Sequence, residues 1–258
     1  MTLQTDRAVS FGTAPHEYDR YRPGPPAEIA DDLVPTPCAS ALDLGAGTGS
    51  LTRVLAARIP EVYAVDRDPR MLEVLQRNCP TVTALEGTAE QIPLPDGVVD
   101  VVTAASCWHW MDPERAIPEI TRVLRPGGML ALMWTRRDRR VPWAEEFEQF
   151  RLRVTGTDDW INERVHHYLE KPWLPTGSRF GGVEVVDRPW SMLVPRDELT
   201  NLMATFHGFL MQPEDRKPAM LEQFSEFVHS DAVPGIPGRD DDMVDVPMMS
   251  HFWRATLD

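Results

Sequence analysis

The chain has 258 residues, a hydrophobic fraction of 42% and a formal net charge of −14. This length suits one large α/β domain or a domain with a sizeable insertion, and the apolar content is sufficient for a core. An acidic surface repels phosphate backbones, so nucleic acid is not expected as a substrate. No apolar run approaches the roughly 18 residues that span a bilayer, so no membrane partner is expected either.

The cysteines and the N-terminal residues indicate the cellular environment. Cys38, Cys79 and Cys107 are odd in number and widely spaced, which predicts neither a disulfide framework nor a zinc cluster. The first ten residues lack the apolar segment of a signal peptide. Adjacent His166 and His167 and the acidic run 240–242 predict surface side chains and no metal site. We therefore expect a reduced, cytoplasmic protein.

Short apolar runs alternate with helical patterns through the first half of the chain. Strands are predicted at 41–44, 62–65, 81–85, 98–104 and 129–134, and helices at 50–58, 70–77 and 114–124. Such alternation predicts βαβ units, a mostly parallel sheet and helices on both faces.

The second half is less regular. Helices are predicted at 143–154, 196–206 and 214–229, strands at 183–186 and 248–255, and a loop at 234–247. Residues 136–181 are interpreted as an insertion that covers the site, because this irregular, aromatic-containing stretch follows the fifth strand.

A glycine-rich turn follows the first predicted strand. In Gly45-Ala46-Gly47-Thr48-Gly49, glycines allow a sharp turn and a close approach of a ligand to the backbone. Asp66 ends the next strand, nineteen positions after Gly47. This spacing suits a carboxylate that accepts hydrogen bonds from two ribose hydroxyls, so the pattern predicts a nucleotide site.

Three details favour S-adenosylmethionine over NAD as the nucleotide. The last small residue of the dinucleotide fingerprint would fall at Ser50, and Gly49 breaks that pattern by one position. The Asp43 carboxylate would meet the ammonium group of S-adenosylmethionine, directly or through water, whereas a pyrophosphate would be repelled. The polar turn at 86–90 follows the third strand and can cap an adenine edge. An NAD(P)-dependent oxidoreductase and a non-catalytic S-adenosylmethionine-binding regulator remain the alternatives.

The same stretches resemble the class I S-adenosylmethionine-dependent methyltransferases, in particular the group of small-molecule enzymes typified by trans-aconitate methyltransferase. The resemblance covers residues 11–134 and rests on segments 18–23, 42–49, 65–66, 90–96 and 119–128. It implies a Rossmann-like, seven-stranded, mostly parallel sheet whose last strand is antiparallel, with a helical lid insertion. The chain would then be a single domain with an N-terminal cofactor-covering segment, a cofactor-binding core, a lid and C-terminal elements that complete the sheet, at 1–35, 36–135, 136–181 and 182–258.

The resemblance also implies positions for the cofactor. Gly45, Ala46 and Gly47 would pack against its methionine part, and Asp66 would hold the ribose. The residues expected to surround the remaining parts of the cofactor are Arg67, Met71, Thr88, Ala89, Glu90, Ala105, Ser106, Tyr18, Tyr21 and Arg22.

Two further stretches suggest roles at the reactive centre. Trp108 and Trp110 are candidates for an aromatic wall near the sulfonium and the acceptor, and His109 is the candidate general base. Arg136 and Arg137 begin a run of four arginines that would recruit a carboxylate substrate.

A departure from the family pattern narrows the acceptor. Residues 104–107 replace the Asn/Asp-Pro-Pro-Tyr motif that often accompanies methylation of amide or exocyclic nitrogens. We therefore expect methyl transfer to a small organic acceptor, with oxygen favoured over nitrogen or carbon. A homodimer is left open.

Overall fold

The computed structural model describes residues 12, 15–22, 24–156, 174–236, 238 and 242–258. The helices are α1 (Pro15–Tyr21), α2 (Ile29–Leu33), α3 (Ser50–Ala56), α4 (Pro69–Asn78), α5 (Pro113–Val123), α6 (Pro142–Thr155), α7 (Arg196–Met203), α8 (His207–Leu210) and α9 (Lys217–Val228). The strands are β1 (Ser40–Leu44), β2 (Glu61–Asp66), β3 (Thr83–Glu86), β4 (Val99–Ala105), β5 (Leu124–Arg137), β6 (Phe180–Pro195) and β7 (Met243–Leu257). A short 3₁₀ helix spans Trp108–Trp110.

The strands form one seven-stranded sheet in the order β3-β2-β1-β4-β5-β7-β6. The pairs β1–β2, β1–β4, β2–β3 and β4–β5 are parallel, and the last strand of the chain is antiparallel. All five residues of β1 are buried, as is typical of a parallel strand covered on both faces. The predicted Rossmann-like sheet is thereby confirmed.

Proline and aspartate fix where two of the sheet's helices begin. Asp68 precedes α4 and Asp112 precedes α5, and each carboxylate accepts a hydrogen bond from the backbone N–H two residues later. Pro69 and Pro113 follow as the first helical residues, where the missing N–H costs nothing. Both helices therefore start immediately after the strand or turn that precedes them.

The chain forms two compact units. The sheet unit comprises Gly24–Thr135, Arg164–Arg188 and Ser250–Asp258, and the helical unit comprises Met1–Pro23, Arg136–Glu163 and Pro189–Met249.

Each unit has its own apolar core. In the sheet unit, Trp108, Ile120 and Trp253 are fully buried among the strand side chains. In the helical unit, Phe147 and the residues of α9 pack together, and the rings of Phe150 and Phe227 stack 4.2 Å apart. No helix in the described ranges is long and apolar enough to cross a membrane.

Three sequence predictions about elements are wrong in extent. The strand β5 begins at Leu124, before the predicted 129–134, and its register with β4 shifts where the glycine pair 127–128 interrupts it. β6 covers 180–195 in place of 183–186, because its side chains are mostly exposed and give little apolar signal. The predicted loop 234–247 gives way to β7 from Met243. Within the predicted lid, residues 157–173, which include His166 and His167, lie outside the described residues, as do 240–241.

Candidate cofactor and active site

Four parallel strands of the sheet unit end at one edge. β1, β2, β3 and β4 end at Leu44, Asp66, Glu86 and Ala105. The register places Leu44 beside Val65 and Asp66 beside Glu86, so these carboxyl ends are level with one another. In open α/β sheets, ligands bind in the crevice at this edge.

The glycine-rich turn leaves β1 and folds against the end of β2. The N–H groups of Gly45 and Ala46 donate to the Val65 carbonyl, at 2.7 and 3.1 Å. A Cβ at Gly45 would lie 2.7 Å from the Cys107 sulfur, so this glycine is required for packing. At Gly47 (φ +56°), the one atom within 4 Å of an added Cβ, among the described residues, is Met71 Cε at 3.5 Å. The backbone at Gly47 therefore offers the close approach that a ligand needs.

Asp66 links this turn to the next strand. One carboxylate oxygen accepts a hydrogen bond from Gly47 N–H at 2.8 Å, and the other accepts from Asp68 N–H at 2.9 Å. Burial raises the pKa of Asp66 above its usual range. Since a carboxylate has about four acceptor sites, Asp66 retains capacity for ribose hydroxyls next to the open Gly47 backbone. The described residues thus fit the nucleotide predicted for this edge.

Asp43 lies beneath the turn and not on its surface. Its side chain is 1% exposed, and it accepts hydrogen bonds from Thr52 Oγ1 at 2.6 Å and Thr103 Oγ1 at 3.4 Å. Burial raises the pKa of Asp43 to about 6. An effect of this carboxylate on a bound ammonium would accordingly act through the electric field or through water.

Backbone hydrogen bonds hold the loop after β3 at the same edge. Gly87 N–H donates to the Asp66 carbonyl at 3.0 Å, and Thr88 and Gln91 exchange backbone hydrogen bonds. Ala89 is buried, and Glu90 accepts from Asp112 N–H at 2.9 Å. The predicted adenine-binding residues therefore occupy one ordered turn. Met71 is buried on α4, and Arg67 is exposed.

Ser106 follows β4 with an unusual backbone conformation. Its φ is +55°, the one positive value for a non-glycine residue in the described chain, and its N–H donates to the Met133 carbonyl at 2.7 Å. Such a conformation costs about 1–3 kcal/mol and is often found at functional sites. Ser106 is exposed and Ala105 half-buried, so both reach the edge where the reactive centre was predicted.

The Trp-His-Trp sequence forms the short 3₁₀ helix that follows. Trp108 is fully buried in the core, His109 is 5% exposed, and Trp110 is half-buried. The His109 and Trp110 rings lie 4.7 Å apart at an angle of 47°. The aromatic wall and the role of His109 as a base stay predictions.

The remaining predicted residues belong to the helical unit. Tyr18 and Tyr21 line a cavity of about 350 Å³, and Arg22 donates to Thr205 Oγ1 at 3.0 Å. Arg136 and Arg137 lie within β5, not in a loop after it. Arg136 is half-buried, whereas Arg137 is 5% exposed.

Acidic side chains pair with Arg137, Arg139 and Arg140. Arg137 forms an ion pair with Glu148, Arg139 with Glu145, and Arg140 with Asp138. Their capacity to recruit a carboxylate stays a prediction. Across the described part of the chain, no group of three His, Cys, Asp or Glu side chains converges as a metal site.

Sequence analysis overlooked several residues that shape these sites. Thr103 is the one such residue that the sequence could have revealed. A hydroxyl within the apolar run of β4 needs a polar partner when it is buried, and that partner is Asp43. Cys107 lies with its sulfur 3.2 Å from the Leu44 carbonyl, and burial raises its pKa well above the usual range. The contacts of Thr52 with Asp43 and of Glu148 with Arg137 join different elements, so no local pattern predicts them, whereas Glu148 and Arg151 are an i,i+3 pair on one helix.

Comparison with known proteins identifies the family. The family described as methyltransferase domain matches residues 42–132. An uncharacterized methyltransferase of Mycobacterium tuberculosis is 50% identical over 161 residues, which cover 62% of this chain and 65% of that protein. The chain thus aligns with just under two thirds of the length of that curated relative.

Two further proteins match over most of the chain. An uncharacterized methyltransferase-like protein of Schizosaccharomyces pombe is 33% identical over 238 residues, which cover 90% of each chain. The crystal structure of a protein described as a methyltransferase from an antibiotic biosynthesis pathway of Anabaena variabilis shares the fold, with a TM-score of 0.58, 20% identity, and coverage of 90% of this chain and 96% of that one. These matches show that the chain belongs to the S-adenosylmethionine-dependent methyltransferase family.

Proposed function

We propose that this protein transfers the methyl group of S-adenosylmethionine to a small organic acceptor, at a carboxylate or hydroxyl oxygen. The observation that carries the proposal is the pairing of Gly47 and Asp66. An open glycine backbone and a carboxylate 2.8 Å from its N–H lie together at the carboxyl edge of the sheet. This arrangement suits a ligand that has a ribose and a narrow polar tail.

The cofactor would be held along this edge in the sheet unit. Asp66 would accept hydrogen bonds from the ribose hydroxyls, and Gly45, Ala46 and Gly47 would border the methionine part. The residues proposed for the adenosine and for the reactive centre are Arg67, Met71, Thr88, Ala89, Glu90, Ala105, Ser106 and Trp108. Tyr18, Tyr21 and Arg22 are proposed as the N-terminal residues that cover the cofactor.

When bound, S-adenosylmethionine supplies an electrophilic methyl group on a sulfonium. This chain's residues would hold the acceptor oxygen in line with that methyl group and exclude water. Positioning alone contributes several kcal/mol to such a displacement. A carboxylate is already ionised at neutral pH and needs no base, whereas a hydroxyl would need His109 to take its proton.

The acceptor is proposed to be a small molecule and not a nucleic acid, because the whole chain carries a formal net charge of −14, which repels phosphate backbones. Residues 136–181 are proposed as the lid that sets acceptor choice, with Trp110, Arg136 and Arg137 as acceptor-binding residues. A cytoplasmic location is part of the same proposal.

The test is transfer of labelled methyl from S-adenosylmethionine to a panel of small carboxylates and phenols. We expect methyl ester or ether products with the wild-type protein. Asp66→Ala should bind S-adenosylmethionine about 10- to 100-fold more weakly, the loss of about 1.5–3 kcal/mol typical of hydrogen bonds to a charged group. Asp31→Ala, which removes an exposed surface carboxylate, is the matched control and should bind as the wild type does.

The two alternative functions predict other results. An oxidoreductase would bind NAD or NADP and leave labelled methyl untransferred. A regulator would bind S-adenosylmethionine and would also bind it more weakly in Asp66→Ala, but it would methylate none of the acceptors.

A further inference from the structure

An aspartate and a histidine on neighbouring strands of the sheet unit form a hydrogen-bonded pair. The Nδ1 atom of His251 on β7 lies 2.5 Å from Asp187 Oδ1 on β6. A carboxylate can only accept a hydrogen bond, so in the neutral ring Nδ1 carries the proton and Nε2 keeps a lone pair. A carboxylate partner of this kind fixes the tautomer and the orientation of a histidine that takes up protons.

The second nitrogen of this imidazole is buried without a partner. His251 is 8% exposed, and its Nε2 has no hydrogen-bond partner among the described residues. Leaving a buried acceptor unpaired destabilises a fold. The pair itself adds little stability in return, because the Asp187 side chain is 58% exposed and exposed ion pairs are weak. A purely structural role therefore does not account for this histidine.

The contacts of β7 place His251 at the carboxyl edge of the sheet. Ser250, its neighbour on β7, lies beside Thr135 on β5, with 3.0 Å between the two hydroxyl oxygens. Thr135 follows Met133 by two residues, and Met133 pairs with Ala105 at the end of β4. His251 is therefore level with the edge at which the reactive centre is proposed.

The alternation of side chains along β7 gives the face of the sheet that His251 occupies. Side chains two positions apart in a strand share a face, so His251 lies on the face of Trp253. Trp253 belongs to the apolar core that also contains Trp108. Because Trp108 begins the 3₁₀ helix after β4, His251 and that helix lie on the same face of the sheet.

We propose that His251, oriented by Asp187, accepts the proton of a hydroxyl group on the methyl acceptor. The inference rests on the proposed methyl transfer, and it restricts the acceptor to a group that is protonated at neutral pH, such as a phenol or an alcohol. His251 then takes the place of His109 as the base, because Asp187 orients its ring and stabilises the charge that it gains. The His251 side chain is 10% exposed, and catalytic hydrogen bonds often tighten only when the substrate binds.

The proposed step is balanced in atoms and electrons. The proton of the acceptor hydroxyl moves to His251 Nε2 as its oxygen bonds to the methyl carbon. The carbon–sulfur bond breaks, and its electron pair stays on the sulfur of the demethylated cofactor. The positive charge of the sulfonium is thus replaced by that of the His251 imidazolium, next to the Asp187 carboxylate, and the proton returns to water between turnovers.

The first test examines the imidazole itself and needs no acceptor. Nitrogen-15 NMR at about pH 8, where an ordinary histidine is neutral, should show His251 with a proton on Nδ1 and none on Nε2. The spectrum of His251→Gln identifies the signals. Asp187→Ala should lose this preference for the Nδ1–H form, and a proton on Nε2 in the wild-type protein would overturn the inference.

The second test measures turnover with phenol, 4-nitrophenol and benzoate as acceptors. His251→Gln should lower the methylation of phenol by about 10²–10⁴-fold, the usual contribution of a positioned base, and leave the KM for S-adenosylmethionine unchanged. Since 4-nitrophenol loses its proton readily in water, its methylation should fall much less. A merely structural role would lower both reactions alike, and equal losses would refute the inference.

Asp187 supplies a variant that tests the pair if His251→Gln does not fold. Asp187→Asn should lower the turnover of phenol by at least about 10-fold, because the imidazolium loses its counter-charge. Glu184→Gln is the matched control, since Glu184 accepts from Arg254 Nε at 2.7 Å across the same two strands, and it should keep wild-type turnover. Equal turnover in the two variants would contradict the role of Asp187.

The same acceptors separate this inference from the proposed function. Methylation of benzoate alone, unaffected by His251→Gln, would remove the hydroxyl acceptor and its base and leave the proposed methyl transfer intact. A protein that binds S-adenosylmethionine and methylates none of these acceptors or of the wider panel would remove the methyl-transfer proposal, and this inference with it.

Discussion

Asp43 in the sheet unit and Glu148 in the helical unit are both buried carboxylates, yet their pKa values move in opposite directions. Burial raises the pKa of Asp43 to about 6, because the hydrogen bonds from the neutral Thr52 and Thr103 hydroxyls lower it by less than burial raises it. Burial also acts on Glu148, but two guanidiniums reverse the effect and lower its pKa. The charge of its partners therefore decides whether an ionised buried carboxylate destabilises or stabilises the folded protein.

The surroundings of the two carboxylates differ in charge. Asp43 lies under the glycine-rich turn and accepts hydrogen bonds from neutral hydroxyls. Glu148 contacts the guanidiniums of Arg137 and Arg151. Changes at Asp43 and at Glu148 should accordingly have opposite effects on stability.

The largest effect is expected for Glu148→Gln. Removing one partner from a buried ionic cluster typically costs about 3–5 kcal/mol, because the remaining charges stay buried. Urea unfolding at pH 7 should show this loss. Glu145→Gln is the matched control, since Glu145 pairs with Arg139 at the surface and exposed pairs contribute about 1 kcal/mol or less. If Glu148→Gln loses no more unfolding free energy than Glu145→Gln, Glu148 does not stabilise the fold as proposed.

The second effect concerns pH. A folded-state pKa of about 6 against about 3.9 in the unfolded chain means that the native protein binds more protons between these values. Asp43 should therefore reduce stability as pH rises from about 4 to about 6, by up to about 3 kcal/mol. The lowered pKa of Glu148 has the opposite effect on stability. Ionised Glu148 stabilises the folded protein, and this contribution is lost as pH falls below about 4.

Asp43→Asn should make the protein more stable at neutral pH. The variant avoids ionisation of a buried group, and we expect a net gain of about 1–2 kcal/mol after the weaker hydrogen bond to Thr52 is counted. The decline between pH 4 and 6 should become smaller in unfolding curves of this variant, with the part due to Asp66 remaining, and should be unchanged in the exposed-site control Asp31→Asn. A less stable Asp43→Asn protein would show that the hydrogen bonds of Asp43 outweigh the free-energy cost of burying its charge.

The smallest effect is expected for His109→Gln. If the acceptor is an organic acid, turnover should fall by less than about 5-fold, or about 1 kcal/mol, because no proton has to be removed. Cofactor affinity should stay unchanged. A fall of about 10²–10⁴-fold, with loss of the pH-rate limb near the histidine pKa, would instead identify a protonated acceptor and a general base.

Sequence patterns predicted the sheet unit better than the helical unit. The turn at Gly45 and the acid at Asp66 are encoded locally, so their positions followed from spacing alone. The ion pair that buries Arg137 is formed with Glu148, which lies eleven positions along the chain on another element. No local sequence pattern predicts this pair. The β6 and β7 strands were predicted too short because exposed side chains in β6 and Pro247 in β7 hide the usual alternation.

Calorimetric titration of the wild-type protein with S-adenosylmethionine and NAD, side by side, tests the central claim most directly. The arrangement of Gly47 and Asp66 predicts binding of S-adenosylmethionine or its demethylated product at micromolar concentration, no measurable binding of NAD, and a weaker signal in Asp66→Ala. Tighter binding of NAD than of S-adenosylmethionine would contradict the assignment of this edge of the sheet.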